Sequence, residues 1–504
     1  MLNPLPPAKW DRAKAAHLLN RAAFGGTPVQ IEALQKSGLA TAVRNLVDGP
    51  AQSFAAVPPP WATPKDLQAR RDSVQDIAAL SADPGTRKQI EQQFRKDVRR
   101  EEVGQIRDLG VWWLQRMRTS PDPVQEKLTL FWHGHFATSV QKVRDAYYMW
   151  QQNATFRRYA RGHFGALVKA ISRDPAMVIW LDLRDSRGAH PNENFARELM
   201  ELFTLGEGHY TERDVAAGAR AFTGYRLNPR DQTFRYVARE ADVGEKEIFG
   251  QKGNFAGDAV IDLILQKPEC AKFLAKKLWE FFAYQDPEPE VITRLAEVIR
   301  LCDYEMRPVL MKLFSSEEFF SERAMRTQIK SPVQWLVQNA RIFETDFPPP
   351  YVLFFAMRQL GQMLFNPPSV KGWDGGKAWI STSTLLARYN LAGLLVETAG
   401  PDLMIGIQKS VRDLGFDPMN DAAPSVRMPD AGPLDVAKIA PAALRADPEK
   451  LVDALILRLF QAPLAGRPRD AFLEYLRAKA QPANDEAVRG LLHLMMSTPQ
   501  FQLC

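Results

Sequence analysis

Between Pro191 and Tyr210 the chain reads Pro-Asn-Glu-Asn-Phe-Ala-Arg-Glu-Leu-Met-Glu-Leu-Phe-Thr-Leu-Gly-Glu-Gly-His-Tyr, and its signals are those of a single helix. Asn192 behind Pro191 is an N-cap, Glu193 suits the positive end of a helix dipole, and Gly206 supplies a left-handed stop. At about 100° per residue, Phe195, Leu199, Leu202 and Phe203 share an apolar arc, with Asn194, Glu198 and Glu201 along its edge. Two carboxylates therefore border a face that must be buried. Like charges at i, i+3 repel, and a carboxylate stripped of water is costly without a cation or donor, so Glu198 and Glu201 require partners from elsewhere. Arg197 points with Glu193, its i−4 neighbour, as a surface ion pair. Three partners stay open for the two glutamates: a metal ion, an arginine of another helix, or a substrate.

The same periodicity runs through most of the chain. It predicts helices over 11–24 and from Pro28, and a long, heavily charged helical region over 64–118. Others follow from Asp122-Pro123 into Phe131-Trp132-His133-Gly134-His135-Phe136, where Gly134 is expected to kink the helix, and over 143–160, 215–222, 259–265, 271–282, 289–301 and 351–360. Residues 448–499 read as three amphipathic helices. The one β signal is a short hairpin within 233–249, carried by Phe234, Tyr236, Val237 and Ile248 with Gly244 and Gly250. The expected fold is all-α and multi-helical with one minor β-hairpin. The expected regions are 1–121, 122–400 carrying the candidate site, and 401–504, with a Pro- and Asp-rich span from about 400 to 447 marking the boundary near 400.

With 504 residues, 45% of them hydrophobic, there is ample material for a large core. No stretch approaches 18 consecutive apolar residues, so no membrane span is expected. The start, Met-Leu-Asn-Pro-Leu-Pro-Pro, has no basic and apolar leader pattern, which predicts a cytoplasmic protein as written, or a periplasmic one if a leader has been removed. Cys270, Cys302 and Cys504 are too few and scattered for a disulfide framework or a zinc ribbon. A net charge of +6 is modest for this length, and the basic run Arg95-Lys96-Asp97-Val98-Arg99-Arg100 is interleaved with acids, as a solvated helix face requires. No nucleic-acid partner is expected.

Several blocks together resemble one bacterial family, Domain of Unknown Function 1800. They are Ala16–Gly25 (Ala-His-Leu-Leu-Asn-Arg-Ala-Ala-Phe-Gly), Phe131–Ser139 (Phe-Trp-His-Gly-His-Phe-Ala-Thr-Ser), Asn192–Gly206, Ala221-Phe222-Thr223-Gly224, and Phe365-Asn366-Pro367-Pro368 through Gly372-Trp373. The resemblance spans nearly the whole chain in order. It implies a mainly helical bacterial protein, encoded next to a second family similar to sulfatases and phosphatases, whose product is a candidate partner. The family pattern after the hairpin resembles His-Asp-x-Gly-x-Lys, whereas this chain has Ala241-Asp242-Val243-Gly244-Glu245-Lys246. Any site that uses that histidine in relatives is altered here.

The sharpest constellation is His133 and His135 with Glu198 and Glu201. Two imidazoles from a His-x-His segment and two carboxylates from a Glu-x-x-Glu helix suit a divalent metal, zinc, iron or manganese, with a position open for water or oxygen. The leading expectation is therefore a metal-dependent enzyme, hydrolytic or oxidative, with His209 or Asp242 nearby. The opposing expectation packs His133 and His135 against Trp132 and Phe136 with one hydrogen bond each, and lets the glutamates meet Arg144, Arg157 or Arg173 in a non-catalytic scaffold that binds a partner protein. A third makes Glu198 and Glu201, or one of them with Asp182 or Asp242, an acid/base pair hydrolysing polysaccharide on a platform of Trp373, Trp379 and Tyr389. Carboxylates one turn apart on one helix are too close and parallel to flank a bond, so that reading needs a second acid from elsewhere. The Pro367–Gly376 loop offers an anion site at the N-terminus of the next helix, capped by Ser381, Thr382 or Ser383, or else a tight turn that wedges Trp373 inward.

Overall fold

The computed structural model describes residues 2–50, 57–65, 67–79, 83–228, 230–397, 401–412, 434–479 and 482–504. The fold is all-α with a minor β component, as the periodicity predicts. Local signals set many helix starts. Asp122 accepts from the Gln125 amide with Pro123 at the first helical position, and Thr27, Thr211 and Ser381 each close a capping box. The charged region resolves into Leu67–Ala79 and one long helix, Pro84–Thr119, whose buried residues begin only at Gln105. No helix among the described residues is long and apolar enough to cross a membrane.

The β content is two antiparallel hairpins. Tyr225–Leu227 pairs with Phe234–Tyr236, and Lys246–Ile248 pairs with Gln251–Gly253. The expected segments are strands, but each finds its partner locally, Phe234 upstream and Ile248 across the Phe249-Gly250 turn. Of the Pro- and Asp-rich span, 413–433 lies outside the described residues.

The helix carrying both histidines, Pro123–His135, runs between two apolar cores. Phe131, Trp132 and Phe136 join Phe164, Phe203 and Trp279 on one side, while Leu130 joins Trp113, Trp335 and Phe365 on the other. The second core holds Leu114, Trp335 and Leu455, one from each expected region, so the three regions share apolar packing. Gly134 does not kink the helix; it lies within the helical run, and Phe136 N donates to Trp132 O at 2.8 Å. Glu126, on the same helix, is fully buried. It accepts from Trp113 Nε1 at 3.0 Å, Arg116 Nε at 3.0 Å, and Arg157 Nε and Nη2 at 2.9 and 2.8 Å. Burial raises its pKa, but the Arg157 and Arg116 guanidiniums outweigh this and hold the carboxyl below the usual range.

Candidate functional site

The segment with the two glutamates is not one regular helix. Asn194–Glu198 is α-helical, and Leu199–Thr204 widens into a π-helix before Gly206 closes the run at φ 85°. Thr204 Oγ1 donates to Leu199 O at 2.5 Å, and the amides of Leu205 and Gly206 both reach Met200 O, at 2.8 and 3.1 Å. Such π segments cluster at functional sites because the wider turn re-aims side chains. The N-cap position falls on Glu193 rather than on Asn192, whose Oδ1 instead accepts from the amide of Asn194, the first helical residue, at 2.9 Å. Arg197 pairs with Glu193 at 3.1 Å as expected, and with Glu212 at 2.8 Å.

Glu198 and Glu201 are half-buried. Tyr210 Oη donates to Glu201 Oε2 at 2.5 Å. Glu198 has no hydrogen bond or ion pair among the described residues, and loss of water, followed by the charge of Glu201, raises its carboxyl above the usual range. The arginines expected to meet the glutamates are engaged elsewhere: Arg157 with Glu126, Arg173 with Asp258 at 2.6 Å, and Arg144 with Gln141 O at 3.1 Å.

Both histidines are buried, and each spends Nε2 inside the protein. The Phe365 amide donates to His133 Nε2 at 3.0 Å, whereas His135 Nε2 donates to Phe203 O at 2.9 Å. The two rings thus hold opposite tautomers, and burial pushes each pKa down to about 3. The His133 ring meets Trp113 edge-on at 5.1 Å, and that of His135 meets Phe136 at 4.6 Å. A metal needs several lone pairs at one point, about 2 Å away. His135 Nδ1 is the only one of the pair's nitrogens that is buried without a partner, and no three His, Cys, Asp or Glu side chains among the described residues form a group that could hold a metal ion. The residues present therefore do not fit the metal site expected from His133, His135, Glu198 and Glu201.

The remaining expected residues take partners of their own or face solvent. Asp242 binds Arg220 at 2.6 Å and Lys246 at 3.6 Å, and the Arg220 hydrogen bond holds its pKa below the usual range. His209 is exposed, and it is its neighbour Tyr210 that reaches Glu201. Asp182 pairs with Lys142 at 2.7 Å. Trp379 is buried while Tyr389 is half-exposed, so they form no joint platform with Trp373. Ser381 caps the Thr382–Leu395 helix.

The periodicity did not reveal a cleft of about 1110 Å³ between the long Pro84–Thr119 helix and the Pro350–Leu360 helix. Val98, Ile106, Phe354, Met357 and Leu364 form its walls, and Gly110 at its floor leaves space that any side chain would fill. Arg99 and Arg144 stand at the rim, both exposed, and neither has a carboxylate partner among the described residues. Glu102, also on the rim, is occupied by Lys65 at 3.2 Å and the Ala146 amide at 2.9 Å. The legible signal was the exposed Val103 and the half-buried Val98 within a charged run, which charge interleaving alone explains as a solvated face.

Residues 17–503 match a family model described as "Protein of unknown function (DUF1800)". The chain belongs to that family. No curated protein and no solved structure matches it. In this DUF1800 chain, two of the blocks behind the resemblance meet at the inner end of the cleft. His133 holds the Phe365 amide, Val140 N donates to Phe365 O at 2.9 Å, and Ser139 Oγ donates to Asn366 Oδ1 at 2.9 Å, with Val140 and Asn366 both lining the cleft. Gly372 closes the same loop onto the histidine helix, where a β-carbon would stand 2.5 Å from Gly134 O. Trp373 is half-buried, its ring 5.7 Å from that of His133.

Proposed function

We propose that the protein is a non-catalytic binding protein whose cleft takes one small amphiphile, an apolar body with an anionic head. The observation that carries this is the cleft itself: apolar walls enclosing about 1110 Å³, with the guanidiniums of Arg99 and Arg144 at its mouth free of carboxylates among the described residues. Ligand pockets span about 300–1,000 Å³ and pair apolar walls with a few placed polar groups, so the volume fits a single long-chain ligand. An anion at the rim gains charge-assisted hydrogen bonds that a neutral head does not. The test is a titration with oleate and, in parallel, oleyl alcohol. Oleate should bind saturably at one site, lose binding in Gly110→Leu, and weaken roughly tenfold in Arg99→Gln/Arg144→Gln, with the alcohol indifferent to the arginines. Oleate binding unchanged in folded Gly110→Leu sinks the proposal.

The unpartnered Glu198 favours a second reading, an acid/base hydrolase acting on polysaccharide. A half-buried carboxyl with a raised pKa can keep the proton a general acid delivers, and Glu201, anchored by Tyr210, supplies the neighbouring charge. Release of reducing sugar from a polysaccharide panel, abolished in Glu198→Gln, supports it; no release from any member removes it.

A further inference from the structure

Away from the cleft, four cationic side chains are buried together. Arg21, Lys127, Lys330 and Arg388 are 1%, 5%, 2% and 2% exposed, and they come from the Arg12–Ala22 helix, the histidine helix, the 328–334 segment and the Thr382–Leu395 helix. Their contacts are neutral groups and Cys504, whose charge when ionised favours the protonated forms of Arg21, Lys127 and Lys330. Arg21 Nη1 donates to Gln328 and lies 3.6 Å from Cys504 Sγ; Lys127 donates to Gln334 under the rings of Phe24 and Phe281 at 5.0 and 5.4 Å. Lys330 Nζ sits 4.0 Å from the Phe501 ring centre, and Arg388 donates to Gln502 Oε1 at 3.1 Å and to Lys330 O at 2.8 Å.

No Asp or Glu side chain among the described residues lies within ion-pair distance of any of the four. Arg21 Nε and Nη2 and Arg388 Nε are buried donors without an acceptor. A single buried ion costs several kcal/mol after relaxation, and neighbouring like charges add repulsion, so such a group calls for an anion. We propose that these four side chains hold a small tetrahedral oxyanion, phosphate or sulfate, as an internal part of the folded protein. Guanidinium forks match the oxygen spacing of such anions, the ammonium groups add point charge, and the free groups are donors throughout, which suits a fully ionised acceptor. The anion would tie the first helix, the histidine helix, the 328–334 segment, the Thr382–Leu395 helix and the 501–504 stretch together.

Without the anion, relief comes from the lysines: burial pushes both Lys127 and Lys330 down to about 7. Lys127 faces Cys504 and Arg21, and Lys330 faces Cys504, Arg388 and Arg326. Anion uptake at pH 8 must therefore bring protons with it. The experiment titrates sodium sulfate, and separately sodium phosphate, calorimetrically into the full chain dialysed in chloride at pH 8, in two buffers of different ionisation enthalpy, with native mass spectrometry of the purified protein beside it. The expected result is one saturable site per chain, or one retained anion in the native mass. Sulfate, which carries no titrating proton, should bind with net proton uptake, and affinity should fall roughly tenfold or more in Lys330→Met and in Arg388→Gln. No saturable site together with no retained anion overturns the proposal, as does unchanged affinity in either folded variant. Should both variants fail to fold, sulfate binding by the parent without proton uptake overturns it.

Discussion

The buried neutral state of His133 and His135 predicts a specific loss of stability in mild acid. In an unfolded chain both rings titrate near 6.5, and in the fold at about 3. The folded pKa is the lower one, so between these values the unfolded chain binds more protons; the stability is fully present above 6.5 and is lost as pH falls toward 3. Integrated from pH 7.5 to 5, each ring accounts for about 2 kcal/mol, and the pair for about 4 kcal/mol, out of a typical total of about 5–15 kcal/mol. Urea unfolding followed by tryptophan fluorescence at several pH values measures this directly. The parent should lose about 4 kcal/mol more over that range than His133→Gln/His135→Gln, whose amides can still accept from Phe365 and donate to Phe203. His17, also lowered by burial, is common to both proteins and cancels. Equal pH slopes in parent and variant would refute buried neutral rings. A chelator should leave the parent curve unchanged; a chelator-dependent slope would instead mean that a metal holds the imidazoles.

Glu126→Ala should cost about 3–5 kcal/mol in urea unfolding, because Arg157 and Arg116 lose the one carboxylate between them, and Arg157→Met should recover part of it in the double variant. A loss under about 1 kcal/mol would mean water or other groups take over the guanidiniums. Gly372→Ala places a β-carbon against Gly134 O at a φ of 85° and should destabilise by about 1–3 kcal/mol while shifting Trp373 emission; unchanged unfolding and emission would show the loop is free to move. Glu201→Gln should lower the titration of Glu198 toward its ordinary value in carboxyl carbon NMR, and no change would leave desolvation as the sole cause.

How far the sequence could be read varies with the range of the interaction. Asp122-Pro123, Thr211 with Asp214, and Ser381 announced their helices because a cap is satisfied within three residues. Arg197 with Glu193 was legible for the same reason. The π-helix over Leu199–Thr204 was not: its side chains carry ordinary α signals, and the widening comes with the Thr204 hydroxyl on Leu199 O and the packing of Pro268–Phe282 alongside. Nor did the metal reading meet the fold, since two histidines two residues apart on an unkinked helix point to opposite sides, one to Phe365 and one to Phe203.

The sequence alone determined an all-α chain with a minor β element, its family, and most helix ends, because periodicity and caps are written within a few residues of where they act. Only the tertiary structure decided what faces what. It joined His133 to the Phe365 loop across 232 positions, opened the cleft between two helices far apart in the chain, and gathered Arg21, Lys127, Lys330 and Arg388 with no Asp or Glu side chain paired to them among the described residues. Desolvation and charge depend on which surfaces are brought together, and no local pattern in the chain encodes that.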